Sequence, residues 1–202
     1  MRPHKFMKNV LIFCAPACFL MSCSTVRSDT AFAPQLDPAY SVNAELEYGS
    51  GQSAALTLTR NSAENWEAEF SAPPALAGVL LRFDGNSVSA SYKGLAFSVP
   101  KTALPAKNML VLVTGILDKT AALDTIPCTE QSDGTWDAAG ESEAGSYTLR
   151  FTADGVLHEF SVPSQPLTIR FSGYAAATAE TTTAPPVTNL TTAETTNGDT
   201  SQ

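Results

Sequence analysis

Residues 64–92 read ENWEAEFSAPPALAGVLLRFDGNSVSASY, and the alternation in this stretch decides the fold class. Trp66, Ala68 and Phe70 alternate with Glu67 and Glu69, the period of two that sends successive side chains to opposite faces of a strand. The two carboxylates read as the wet side of that strand, not as a metal or acid–base pair. Asp84-Gly85-Asn86 then separates residues 79–83 from Val88, Ala90 and Tyr92. That spacing predicts a hairpin, because glycine accepts the backbone conformation a tight turn requires.

Working outward, Val42, Ala44, Leu46 and Tyr48 alternate with Asn43, Glu45 and Glu47, and Leu56 and Leu58 alternate with Thr57 and Thr59. On the other side, Lys93-Gly94 leads to Leu95, Phe97 and Val99. A meander of antiparallel strands, each with one dry face, is expected. Beyond Pro100 and Pro105 the period changes. Asn108 can cap a run over residues 109–117 that is apolar nearly all round, with Met109, Leu112, Val113 and Ile116 on one helical stripe. Gly115 and β-branched residues weaken a helix here, but the length of the run and its place after two prolines favour one. Strand signals resume at Trp136 and Ala138 and at Tyr147, Leu149 and Phe151, turn at Asp154-Gly155, and continue over residues 156–162 and 167–171. The expected fold class is mainly β (α+β), a curved antiparallel sheet forming an unclosed half-barrel over one or two helices. It spans residues 40–174.

The two ends have a different character. Arg2, Lys5 and Lys8 precede a short apolar run over residues 10–20, and no acidic residue occurs before Asp29, which is the pattern of a secretory signal. The run ends in Leu20-Met21-Ser22-Cys23, similar to a bacterial lipobox, in which the cysteine receives diacylglycerol. Residues 1–22 are thus expected to be a lipoprotein signal peptide and Cys23 the lipidated residue. An ordinary secretory signal with a chance cysteine, or an uncleaved anchor, is the alternative. Acyl chains on Cys23 would hold the chain on the membrane without a transmembrane helix. Residues 23–39, with Pro34 and Pro38, read as a tether, and residues 175–202, with ten threonines and no aromatic, as a disordered tail.

Composition narrows the function. The chain has 202 residues, 12 Lys+Arg against 20 Asp+Glu and a net charge of −8, so it lacks the basic footprint of a nucleic-acid binder. After processing, His158 would be the only histidine, and no Gly-x-Ser-x-Gly turn, phosphate loop or zinc spacing accompanies it. A strand histidine half-buried against aromatics is the simpler reading. With Cys14 and Cys18 lost and Cys23 acylated, Cys128 has no disulfide partner, and it lacks a neighbouring base in the sequence. No catalytic residue, metal site or cofactor is expected.

The order of elements resembles a family. Arg60 through Asn65-Trp66, the hairpin with Asp84-Gly85, the apolar run over residues 109–117, and Asp154-Gly155-Val156-Leu157-His158-Glu159-Phe160 follow the pattern of the bacterial lipoprotein-localisation carriers and their lipid-anchored acceptors, the LolA/LolB-like family. Related mycobacterial lipid-binding lipoproteins share it. The resemblance covers about residues 40–174 and implies an incompletely closed antiparallel barrel whose concave face, lidded by helices, takes up acyl chains. It also implies that Arg60 ties down the lid, although the proline that follows this arginine in the carriers is absent, and so is an amphipathic helix before the first strand.

Two functions are carried forward. The first is a membrane-anchored extracytoplasmic lipoprotein, a carrier or receptor whose cavity, lined by Leu46, Leu58, Trp66, Phe70, Phe83, Tyr92, Phe97 and Leu112, binds a lipid or another hydrophobic ligand. The second is an envelope structural, interaction or sensing module with a sealed core. In either case the expected partners are the membrane, through the lipid anchor, and for the first a lipid or acylated ligand, with no nucleic acid and a monomeric state. The expected location is the extracytoplasmic face of the cell membrane, or the outer membrane in a host that has one.

Overall fold

The structure is a computed structural model that describes residues 29–104 and 108–177. The signal segment, Cys23 and the tail from residue 178 lie outside the described residues.

Among the described residues twelve strands form one sheet: β1 (Thr30–Phe32), β2 (Tyr40–Tyr48), β3 (Gln52–Ser62), β4 (Asn65–Ala72), β5 (Leu80–Asp84), β6 (Ser87–Tyr92), β7 (Leu95–Pro100), β8 (Ile126–Glu130), β9 (Trp136–Ser142), β10 (Gly145–Phe151), β11 (Leu157–Val162) and β12 (Leu167–Ala176). One α-helix, α1 (Met109–Ala121), stands between β7 and β8. The spatial order is β1-β8-β9-β10-β11-β12-β2-β3-β4-β5-β6-β7, with antiparallel pairing throughout. Two meanders, β2 to β7 and β8 to β12, therefore join at the β12–β2 seam. The sheet does not close, since β1 and β7 are its two edges. The chain leaves one edge at β7 and re-enters near the other at β8, so α1 carries it back across the sheet. This is an unclosed half-barrel over a helix.

Register explains why one face is dry. Ile169, Leu46 and Ala54 lie opposite one another along the sheet, as do Val42, Leu58, Ala68 and Leu81, and Trp66, Phe83 and Val88. Directly opposed residues share a face, so these apolar side chains form one continuous surface. With Leu110, Val113, Ile116 and Leu117 of α1 they make a single core. The outer face carries the charges. Arg170 pairs with Glu47 at 2.9 Å and Glu159 at 3.5 Å, and Arg82 with Glu67 at 2.9 Å. Glu67 and Glu69 are thus the wet side of β4, as its alternation indicates.

The expected hairpins form where glycine allows them. Asp84 Oδ1 accepts hydrogen bonds from the N–H groups of Ser87 at 2.6 Å and Asn86 at 3.2 Å, while Gly85 takes a φ of 84°. Asn108 caps α1 as expected, its Oδ1 accepting from the Val111 N–H at 3.2 Å.

Four expectations need correction. The segment expected to be a tether from residue 23 to 39 is built into the fold from residue 29. β1 pairs with β8, Phe32 stacks on Trp136 with ring centroids 5.0 Å apart, and the Gln35 N–H donates to the Gly155 carbonyl at 2.8 Å. At the other end, β12 continues through Ala176, past the expected boundary at 174, because Ala175 and Ala176 pair with Ser41 and Tyr40. The buried face of α1 is Leu110, Val113, Thr114, Ile116, Leu117 and Thr120, so Met109 and Leu112 flank the contact instead of centring it. Two threonines are tolerated there because their hydroxyls donate back to the Leu110 and Ile116 carbonyls, each at 2.9 Å. Finally, His158 is exposed on β11, because the register shifts there: Glu159 lies opposite Arg150 and Leu157 opposite Phe151, which leaves His158 as the unpaired extra residue.

Candidate functional site

The dry face and the helix that covers it form the candidate site, and one carboxylate fastens the two together. Asp118, in the last turn of α1, receives the Arg60 Nε–H and the Trp66 Nε1–H, each at 2.9 Å, and the Glu64 backbone N–H at 2.9 Å. These donors come from β3, β4 and the turn between them, so a single side chain ties the helix end to one hairpin. Arg60 is buried, with its guanidinium carbon 5.8 Å from the centre of the Trp66 ring. It also donates through Nη1 to the carbonyl of Pro38 and, at 3.4 Å, to that of Asp37. The segment before β2, the hairpin and the helix thus meet at one guanidinium.

An aromatic cluster surrounds this latch. Tyr40 lies edge-on to Trp66 with centroids 5.8 Å apart and tilts against Tyr174 at 5.5 Å. Burial raises the Tyr40 phenol above its ordinary range, opposed by the nearby Arg60 charge and reinforced by Asp118. Burial likewise raises Tyr174, whose hydroxyl donates to the Leu157 carbonyl at 3.0 Å. Every buried side-chain polar atom among the described residues has a partner. The latch is therefore a satisfied network that rigidifies one end of the site.

Of the eight residues expected to line a cavity, Leu46, Leu58, Trp66 and Phe83 are buried in the common core with α1. Phe70 and Leu112 pack partly buried against it. Tyr92 and Phe97 share the same face but lie beyond the core, 37% and 67% exposed. The register continues from Phe83 and Leu81 across Val88 and Ala90 to Val99 and Phe97. The apolar face thus has a part closed by the helix and a part that is open. Two clefts occur elsewhere: one of about 130 Å³ beside Tyr40 and Tyr174, and one of about 260 Å³ between Asp29, Thr129 and Asp137. None of the eight residues lines either.

Asp118 was not singled out by the sequence, although a signal was present. An acid in the last turn of a helix opposes the helix dipole and is disfavoured unless a donor compensates it. Cys128 is buried, and desolvation, with the Asp137 and Asp29 carboxylates adding to it, pushes its thiol up to about 11. A thiol so raised is held as the poor nucleophile. No cluster of metal-ligating side chains occurs among the described residues, and no described helix is long and apolar enough to cross a membrane.

No protein-family model and no curated relative matches the chain. Among solved structures it is similar to an uncharacterized conserved protein from Thermus thermophilus, at 12% identity and a TM-score of 0.43 over 70% of this chain and 80% of that one. It is also similar to a LolA superfamily protein from Nitrosomonas europaea, at 9% identity and a TM-score of 0.40 over 73% of this chain and 90% of that one.

Proposed function

We propose that the half-barrel binds a lipid or similarly apolar ligand between its inner face and α1, as an extracytoplasmic protein held to the membrane by acylation of Cys23. The observation that carries this reading is a continuous apolar face, buried in one core with the helix as far as Phe83 and Val88 and exposed beyond them at Tyr92, Leu95 and Phe97. A face built only as core has no reason to extend large apolar side chains past its cover. The helix is fastened at its C-terminal end by Asp118, so it can swing from that end while its N-terminal half, nearest β7 in sequence, parts from the sheet. In this reading the protein is a carrier or receptor, not an enzyme. Leu112 and Phe70, at the margin of the buried contact, are where a ligand would first enter.

Saturable uptake of a fluorescent fatty acid by the purified protein, together with mass spectrometry of lipid co-purifying from membranes, tests the reading. Wild type should bind, and Leu112→Ala, which widens the seam at a partly buried position, should bind as well or better. Absence of saturable uptake and of co-purified lipid in both proteins would overturn it and leave an interaction or sensing module with a sealed core.

A further inference from the structure

The uncovered end of the sheet has a second chemical character, which concerns charge. Among the described residues, those of 70–117 include three cations, Arg82, Lys93 and Lys101, and one acid, Asp84, whereas the others hold 4 cations against 16 acids. The acidic body of the chain, from Asp29 onward, thus has one basic region. Within it stand the most exposed large apolar side chains of the described residues, Leu95 at 76% and Phe97 at 67%. Tyr92 pairs with Leu95 across the β6–β7 turn, and the Lys93 ammonium lies 4.9 Å from the centre of the Tyr92 ring. Lys101 follows the other end of β7. Asp84 lies in the turn at the far end of β5, its carboxylate engaged by the Ser87 N–H and hydroxyl at 2.6 and 2.8 Å.

Among the described residues β7 is also a bare edge. It is last in the strand order, carries no charge over Leu95–Pro100, and lacks the inward charges or bulges that usually protect such a strand. A second copy pairing antiparallel about Phe97 would set Lys93 directly opposite the other copy's Lys101, and like charges so placed repel. A surface that is apolar, aromatic and flanked by lysines fits another partner better. Apolar side chains enter the acyl boundary, tyrosine sits at headgroup level, and each lysine gains from an anionic surface.

We propose that the β6–β7 hairpin docks on an anionic lipid bilayer, with Leu95 and Phe97 inserted, Tyr92 at the interface, and Lys93 and Lys101 among the headgroups. The net negative remainder of the chain is repelled by the same surface, so the charge pattern orients the molecule with this end toward the lipid. The proposal does not depend on a ligand in the half-barrel.

Hydrogen exchange of the full chain, read peptide by peptide, tests it with no vesicles, with phosphatidylcholine vesicles, and with mixed phosphatidylcholine–phosphatidylglycerol vesicles. Amides of residues 92–101 should exchange about tenfold more slowly with the anionic vesicles only. That protection should fade as salt is raised. It should be lost in Lys93→Glu/Lys101→Glu and in Leu95→Ser/Phe97→Ser, with unchanged exchange in β2 to β4 confirming that both variants fold. Wild-type exchange at residues 92–101 unaltered by anionic vesicles would overturn the proposal, whatever membrane attachment the N-terminus provides. So would equal protection by neutral vesicles. Protection without vesicles that grows with protein concentration would identify a second copy as the occupant and overturn it equally. Uptake of a soluble fluorescent fatty acid enters none of these readouts, so this proposal and the ligand reading fail separately.

Discussion

Asp118 shows how much one side chain can hold in this protein. Its carboxylate takes donors from Arg60, Trp66 and Glu64, and Arg60 has only carbonyl oxygens besides it. Asp118→Ala would leave a buried guanidinium without its counter-charge, and breaking such a pair by removing one partner costs about 3–5 kcal/mol. Because Asp118 retains 15% side-chain exposure, the loss should fall at the lower end, about 3 kcal/mol, in urea unfolding. A change below about 0.5 kcal/mol, typical of a surface position, would contradict the latch. Cys128 makes a pH-dependent case. Its thiol is raised from 9.0 to about 11 by burial and by the Asp137 and Asp29 charges. Between those values the folded chain keeps a proton that the unfolded chain releases, so stability is complete below pH 9 and falls as pH rises toward 11. Tyr40 and Tyr174, raised from 10.0 by burial, act in the same direction at higher pH. In Cys128→Ala the decline across the lower part of this window should be shallower than in wild type. Equal slopes would show that the thiol does not contribute.

α1 is the element on which the ligand reading depends, and its stability can be adjusted without touching its buried face. A methyl group added at Gly115 meets nothing within 4 Å, so Gly115→Ala removes a helix-weakening residue without a clash. It should stabilise by about 0.5–1 kcal/mol. Asn108→Ala removes the oxygen that accepts the Val111 N–H and should cost about 1 kcal/mol. Opposite signs for the two variants in chemical denaturation would confirm that α1 forms in solution with this cap. Two losses of stability would indicate that Gly115 has a neighbour that the free helix surface does not show.

At the scale of the whole molecule, the sheet depends on its first strand. Phe32 covers Trp136 and Phe151, with centroids 5.0 and 5.6 Å away, and β1 pairs with the edge of β8 that would otherwise be bare. Phe32→Ala should cost about 2 kcal/mol, less than the about 3–5 kcal/mol of a fully buried aromatic, because Phe32 is only partly buried. The damage should be local. β8 carries Cys128, paired with Thr30, so the variant should expose this thiol to alkylation much faster than wild type, as read on the Cys128 peptide. A fall in stability with Cys128 still protected would mean that β8 holds without β1.

The strands with strict alternation, such as β2 and β4, were legible in the sequence, as were the hairpins at Asp84-Gly85 and Asp154-Gly155 and the Asn108-capped helix. Each is governed by local chemistry: the pleat, the φ of a glycine, an oxygen within reach of a free N–H. The half-barrel class follows from the same signals. β1 and β8 were not legible, since three residues of Thr-Ala-Phe and five of Ile-Pro-Cys-Thr-Glu carry almost no periodicity and are strands because they pair with each other and with β9. The buried stripe of α1 was misplaced for a related reason. A helix apolar nearly all round does not specify its inner face, and here the anchoring of Asp118 by Arg60, Trp66 and Glu64 sets the rotation that buries Leu110, Val113 and Leu117. Whether an apolar residue on the dry face became core or surface was likewise a tertiary outcome. Phe83 and Phe97 have the same alternation and the same face, but one is buried in the core that α1 shares and the other is exposed beyond it. Local pattern fixes which way a side chain points, and only the path of the distant segment that covers it fixes what it meets there.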